Sequence, residues 1–272
     1  MTTTVYDRVN ALVATDSRWS VDLSPHGYDG HILYIDDTGF GKLAPRNDFV
    51  MLLAGDGLLI QLWKHWWRGD LSQQEPPVVL PTGQSVNLHI VKKSTNEVIF
   101  DKGQKLVVKN NETEELFAVF TGSGCGAAAQ NWMYSHCARS AIEESKKLDP
   151  YTGGTVRFLD FRTNASLVED SVSTISEVNE ALLQRGLIMD TKNPHSPHVS
   201  ISAQEVAEVR QMLVSGSITP CAPVGQRTQD WDDNSKLRLA NAIQRIREEE
   251  GERGTAGNVR RRRADSEDRG TL

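Results

Sequence analysis

Thr2 directly follows the initiator methionine. Aminopeptidases remove Met when the next side chain is small, which would leave a hydroxyl and a free α-amine on one residue. A terminal amine titrates at about 7.7–8.0, so near neutral pH it can act as base for its own hydroxyl. An ordinary terminus shares this Met-Thr start, so the chemistry needs further groups. Asp16 in ATDSR, Lys42 in GFGKL, Ser123 in TGSGCG, and Asp149 with Thr152 in LDPYTGG are the polar residues at strand ends and turns. Taken singly, Asp16 and Asp149 read more readily as turn or capping residues, Lys42 as a surface lysine and Ser123 as a helix-start hydroxyl. Their joint order gives them weight.

The elements that must position these groups are legible from periodicity. TTVYDRVNALVA reads as two short strands around a polar turn at Asp7 to Asn10, so a hairpin opens the chain. HILYI is a strand among glycine-broken loops. FVMLLAGD is an apolar run ending in a glycine turn, and GLLIQLWKHWWRG follows with helical spacing. VNLHIVKK, NEVIFD, QKLVVKN and ELFAVFTG supply four more strands, so two sheets are predicted. A second helix is predicted from about Ala127 to Lys147, then a strand at TVRFLDF. Helices follow at about 170–186 and 203–214, separated by a loop over 187–200 and followed by a linker over 219–229. A last amphipathic helix is predicted over about Asp230 to Glu250, with Leu237, Leu239, Ala242 and Ile243 on its apolar side. Beyond Gly251 the composition is that of a charged, disordered tail. The organisation is thus a domain over 1–160, a helical extension over 161–225, and a helix with tail over 226–272.

Composition narrows the class. The 272 residues are 38% hydrophobic and 24% charged, ordinary values for a soluble globular chain. No run of about 18 apolar residues is present to span a bilayer, and the N-terminus lacks a secretory pattern, so no membrane role and a cytoplasmic location are expected. The net charge of -6 argues against nucleic acid as a partner, although Arg260 to Arg263 form a basic run among acidic residues. Cys125, Cys137 and Cys221 lack CxxC spacing, so they are expected to be buried, reduced thiols, with neither disulfide nor zinc site. His65 and His136 read as structural or exposed, and Trp63, Trp66 and Trp67 as core or subunit-contact residues. No cofactor and no metal are expected.

In order along the chain, TTTV, ATDSR, GKL before an apolar strand, FVMLLAGDG leading into a helix, TGSGCGAAA opening a helix, and LDPYTGGTVRFLDF resemble the proteasome β-subunit and its bacterial ring-peptidase relatives. The resemblance covers about residues 2–160. It implies an α+β fold, the four-layer αββα sandwich of N-terminal nucleophile hydrolases, here with a helical C-terminal extension. It implies threonine endopeptidase activity on protein or peptide substrates, in a homo-oligomeric ring that an ATP-dependent unfoldase could feed. As in the bacterial relatives, loss of methionine alone would expose the threonine, without a propeptide.

By the same resemblance Thr2 matches the nucleophile, Lys42 the buried lysine that keeps its surroundings positive, and Asp16 the carboxylate paired with that lysine. Ser123, Asp149 and Thr152 match the group that hydrogen-bonds around the terminal amine, with threonine where serine is common. Gly55 matches the glycine whose backbone N–H meets the oxyanion, and Trp19, Phe40 and Leu53 match the first substrate pocket. Two other readings stay open: an inactive proteasome-like scaffold or assembly protein, and an amidase of the same fold acting on small molecules.

Overall fold

The opening hairpin forms as β1 (Thr3–Asp7) and β2 (Leu12–Thr15), paired antiparallel with Thr4 opposite Thr15. Its turn closes because the Asp7 carboxylate accepts from the backbone N–H of Asn10 at 3.0 Å. The structure is a computed structural model that describes residues 2–103, 105–168, 170–222 and 231–267, with side chains described as far as Gly251. It is a mixed α+β molecule with two antiparallel sheets and, among the described residues, six α-helices.

The smaller sheet has the order β11 (Arg157–Asp160), β2, β1, β10 (Leu116–Gly122), β9 (Lys105–Lys109). The larger runs β13 (Val199–Ser200), β12 (Leu187–Asp190), β4 (His31–Ile35), β3 (Trp19–Asp22), β14 (Cys221–Ala222), β6 (Phe49–Asp56), β7 (Val86–Lys92), β8 (Glu97–Lys102), and β5 (Leu43–Arg46) also pairs with β6. Strand side chains alternate between faces, and here both faces are apolar. On β1, Tyr6 joins a core shared with Leu43, Val50, Leu52 and Val91 of the larger sheet, while its neighbour Val5 faces the other way.

Val5 packs with Ala128, Trp132 and Ile142 of two helices, α2 (Cys125–Ser135) and α3 (Ala138–Ser145). These replace the single helix expected over 127–147. His136 enters the left-handed region at φ 47 and caps α2 by donating its N–H to the Trp132 carbonyl at 2.8 Å, so the axis breaks there.

The other core cluster gathers α1 (Gly57–Arg68), α4 (Ile175–Arg185), α5 (Ala207–Val214) and α6 (Asp233–Glu267) around Trp19, Phe49 and Met51 of the larger sheet. Helix α1 starts where the Asp56 carboxylate accepts from Leu59 N–H at 3.0 Å, an N-cap worth about 1 kcal/mol. Trp63, Trp66 and Trp67 are core residues, each indole N–H donating to a backbone carbonyl, of Pro77, Gln73 and Ala44 respectively.

The C-terminal region departs from the expected helical extension. The stretch 187–200, expected as a loop, contributes β12 and β13, and the expected linker contributes β14. Val178, Leu182, Val209, Leu213, Leu239, Ala242, Ile243 and Ile246 share one core with the N-terminal residues, so burial joins the two regions. Leu237 lies outside that stripe at 61% exposure. The last part of the expected linker, 223–229, lies outside the described residues, whereas α6 continues through the stretch expected as a disordered tail as far as Glu267. No helix among the described residues is long and apolar enough to cross a membrane.

Candidate active site

Asp16 follows β2 directly, and the hairpin register returns it to the start of β1. Its backbone N–H donates to the Thr3 carbonyl at 3.1 Å. Its carboxylate accepts from three backbone N–H groups, of Thr3 at 3.0 Å, Arg18 at 3.1 Å and Gly153 at 3.2 Å. The Thr2 hydroxyl also donates to it.

Lys42 precedes β5, and its carbonyl accepts from Leu53 N–H at 2.9 Å, which sets the residue against β6. Its ammonium donates to Thr2 Oγ1 at 2.7 Å, Asp16 Oδ1 at 2.9 Å and the Arg18 carbonyl at 2.7 Å. An ammonium has three protons, and each has an acceptor here. Thr2, Asp16 and Lys42 are 0%, 0% and 1% exposed. Burial holds the lysine below its usual range, while the Asp16 charge acts in the opposite direction. The result is a hydroxyl oxygen in a dry site with a cation as donor, an arrangement that stabilises an alkoxide and lowers the cost of forming one.

A second polar cluster adjoins the first. The Ser123 hydroxyl donates to Asp149 Oδ2, and Thr152 Oγ1 donates to the same oxygen at 2.6 Å. Thr152 has thereby used its proton, so Thr3 Oγ1, 2.6 Å away, is the donor of that pair. Ser123, Asp149 and Thr152 thus come together, and the side chain of β1 that Thr152 binds is Thr3.

Gly122, at the end of β10, has φ +89, and a Cβ there would stand 1.7 Å from the Thr2 carbonyl oxygen. Only glycine admits both that conformation and that approach. Gly55 has φ +121 on β6, where a Cβ would come within 2.3 Å of the Ser85 carbonyl, so packing within the sheet already demands glycine there. Ala222 lies opposite it.

The pocket expected from Trp19, Phe40 and Leu53 is not an open one. The Trp19 ring stacks on Phe40 at 5.2 Å between centroids and donates its N–H to the Phe40 carbonyl at 2.9 Å. All three side chains are at most 3% exposed within the large core.

Thr3, Arg18, Gly122 and Gly153 contribute to the site without having been singled out in the sequence. Arg18 is fixed by a bidentate pair with Asp36, both contacts 2.8 Å, and by stacking 4.0 Å over Tyr34, which holds its carbonyl in place for Lys42. Backbone groups carry most of these roles, and a backbone group leaves no residue-type signal. Thr3 lies in the TTT run, where type alone cannot separate three threonines. The three cysteines are free; Cys125 is buried, and Cys137 and Cys221 are partly exposed as whole residues. Among the described residues no group of three or more His, Cys, Asp or Glu is placed to hold a metal ion. No family model matches the chain, and a search of curated proteins returns no match.

Proposed function

We propose that this chain is a threonine endopeptidase whose nucleophile is Thr2 after removal of Met1, built on the four-layer αββα sandwich of N-terminal nucleophile hydrolases. The observation that carries this reading is the Lys42 ammonium shared between Thr2 Oγ1 and Asp16 inside a dry site. A structural ion pair does not need a threonine hydroxyl as its third partner, whereas a cation donating to a hydroxyl oxygen favours its ionised form and so activates a nucleophile.

The α-amine of Thr2 takes the hydroxyl proton as Oγ1 attacks the peptide carbonyl. Lys42 lowers the energy of the developing alkoxide, and the backbone N–H of Gly55 is the proposed donor to the tetrahedral oxyanion. Collapse breaks the C–N bond, and the leaving amine takes the proton from the α-ammonium. The remaining ester is opened by water, whose proton passes through the same amine and back to Oγ1. Thr152, held with Ser123 by Asp149, positions the start of β1 through its hydrogen bond with Thr3.

The test is intact mass before and after a threonine-directed β-lactone or epoxyketone. The reading expects a protein that begins at Thr2 and gains one inhibitor mass, and a Thr2→Ala variant that gains none. Mostly retained Met1 in protein that hydrolyses peptides would defeat it. The homo-oligomeric ring belongs to the same proposal, and native mass spectrometry would count its subunits. Hydrolysis of small amides but not of unfolded protein would turn the reading to an amidase, and failure on both to a scaffold.

A further inference from the structure

In the larger sheet β3 and β6 do not pair with each other. Each pairs instead with β14, with Cys221 opposite both Ser20 and Asp56, and Ala222 opposite Gly55. Without β14 the sheet would have a gap one strand wide, about 9.5 Å between rims.

The Thr2 site lies at the end of that gap. Lys42 donates to the carbonyl of Arg18, two residues before Ser20, and accepts through its own carbonyl from Leu53, two residues before Gly55. Two residues of strand span about 7 Å. Because β14 is antiparallel to β6, the chain from Cys221 to Ala222 runs from Asp56 past Gly55, and so toward the level of Lys42 and Thr2. The Cys221 thiol donates to the Ser20 carbonyl at 3.2 Å, and its enclosure pushes its pKa up to about 11, although Lys42 acts to lower it.

Residues on either side of β14 in the chain are packed into the fold. Ile218 lies in the core, and Trp231 stacks on Phe100 and donates its indole N–H to the Val86 carbonyl at 2.9 Å. Between these two positions only the two residues of β14 are paired into the sheet among the described residues.

We propose that Cys221 and Ala222 form a tethered peptide ligand of the cleft between β3 and β6, and that any other extended peptide entering the cleft must displace them. The inference rests on the peptidase reading only for the identity of the competing ligand. The mode is strand addition: main-chain hydrogen bonds hold the segment, so an extended peptide of many sequences can compete.

The test is Ser20→Cys, which places a second thiol opposite Cys221. Facing residues in an antiparallel pair lie about 4.5–5.5 Å apart at Cα, within disulfide range. The full-length variant is compared after diamide oxidation and after reduction. Fluorescence polarisation follows a labelled peptide copying residues 216–224 with serine in place of cysteine, and a fluorogenic peptide reports hydrolysis. The reduced protein is expected to bind the labelled peptide at least tenfold more tightly than the oxidised one. Hydrolysis is expected to fall at least tenfold on oxidation and to return on reduction. Equal binding in both forms, absence of binding in both, or failure of the disulfide to form would overturn the tethered ligand. Different binding with no hydrolysis in either form would sink the peptidase reading alone. In a second variant, Ala222→Arg, an arginine on the displaced side should tighten peptide binding by a similar factor without oxidant, and an unchanged affinity would count against the proposal.

Discussion

Lys42 Nζ lies 2.9 Å from Asp16 Oδ1, with both side chains withdrawn from solvent. The two depend on this contact unequally. Asp16 also accepts from three backbone N–H groups, whereas Lys42 has no other carboxylate within ion-pair distance among the described residues. Removing the carboxylate leaves an unpaired buried charge and takes the acceptor from three backbone N–H groups and from the Thr2 hydroxyl. Asp16→Ala is therefore expected to cost of order 3–5 kcal/mol in urea unfolding. A loss below about 1 kcal/mol would contradict the burial of the pair.

Lys42→Ala should damage activity more than folding. It removes the cation donating to Thr2 Oγ1 while leaving Asp16 its backbone donors. Peptide hydrolysis is expected to fall by a factor of at least about 10², in the range of losing one group that stabilises a developing negative charge. Near-wild-type kcat would remove Lys42 from the mechanism.

Gly122→Ala offers a test that touches no polar side chain. A methyl group there meets the Thr2 carbonyl at 1.7 Å and requires positive φ, so the start of β1 has to move. Loss of inhibitor labelling at Thr2, with the circular dichroism spectrum kept, is the expected result. Unchanged labelling kinetics would mean that Thr2 need not be held by β10.

His89 supplies a pH dependence. It is buried, its Nε2 has no hydrogen-bond partner among the described residues, and burial, with Lys105 adding to it, pushes its pKa down to about 3. In the unfolded chain the imidazole takes its proton near 6.5. Between those values the unfolded state binds more protons, so the stability present above pH ~6.5 is lost as pH falls, at up to about 1.4 kcal/mol per unit. His89→Leu should flatten the fall in Tm between pH 7 and pH 4.5. The same slope in the variant would assign the acid limb to other groups.

The sequence by itself determined the local elements. Alternating and helical apolar periods located the hairpin, the strand at FVMLLAGD and helix α1, because those patterns follow from backbone geometry that is the same in every fold. It also drew attention to Thr2, Asp16, Lys42, Ser123, Asp149 and Thr152, through their polar types taken in order along the chain and the resemblance that this order carries. Only the tertiary structure decided what met what. The break at His136 depends on a single residue turning left-handed. Trp19, Phe40 and Leu53 became packed core because neighbours distant in sequence filled the space around them. The two-residue β14 is too short to carry a period, and it exists because two rims brought together by the rest of the sheet offer it hydrogen bonds on both sides. The donors that hold Asp16 are backbone amides, which every residue but proline possesses, so long-range folding alone selected those of Thr3, Arg18 and Gly153.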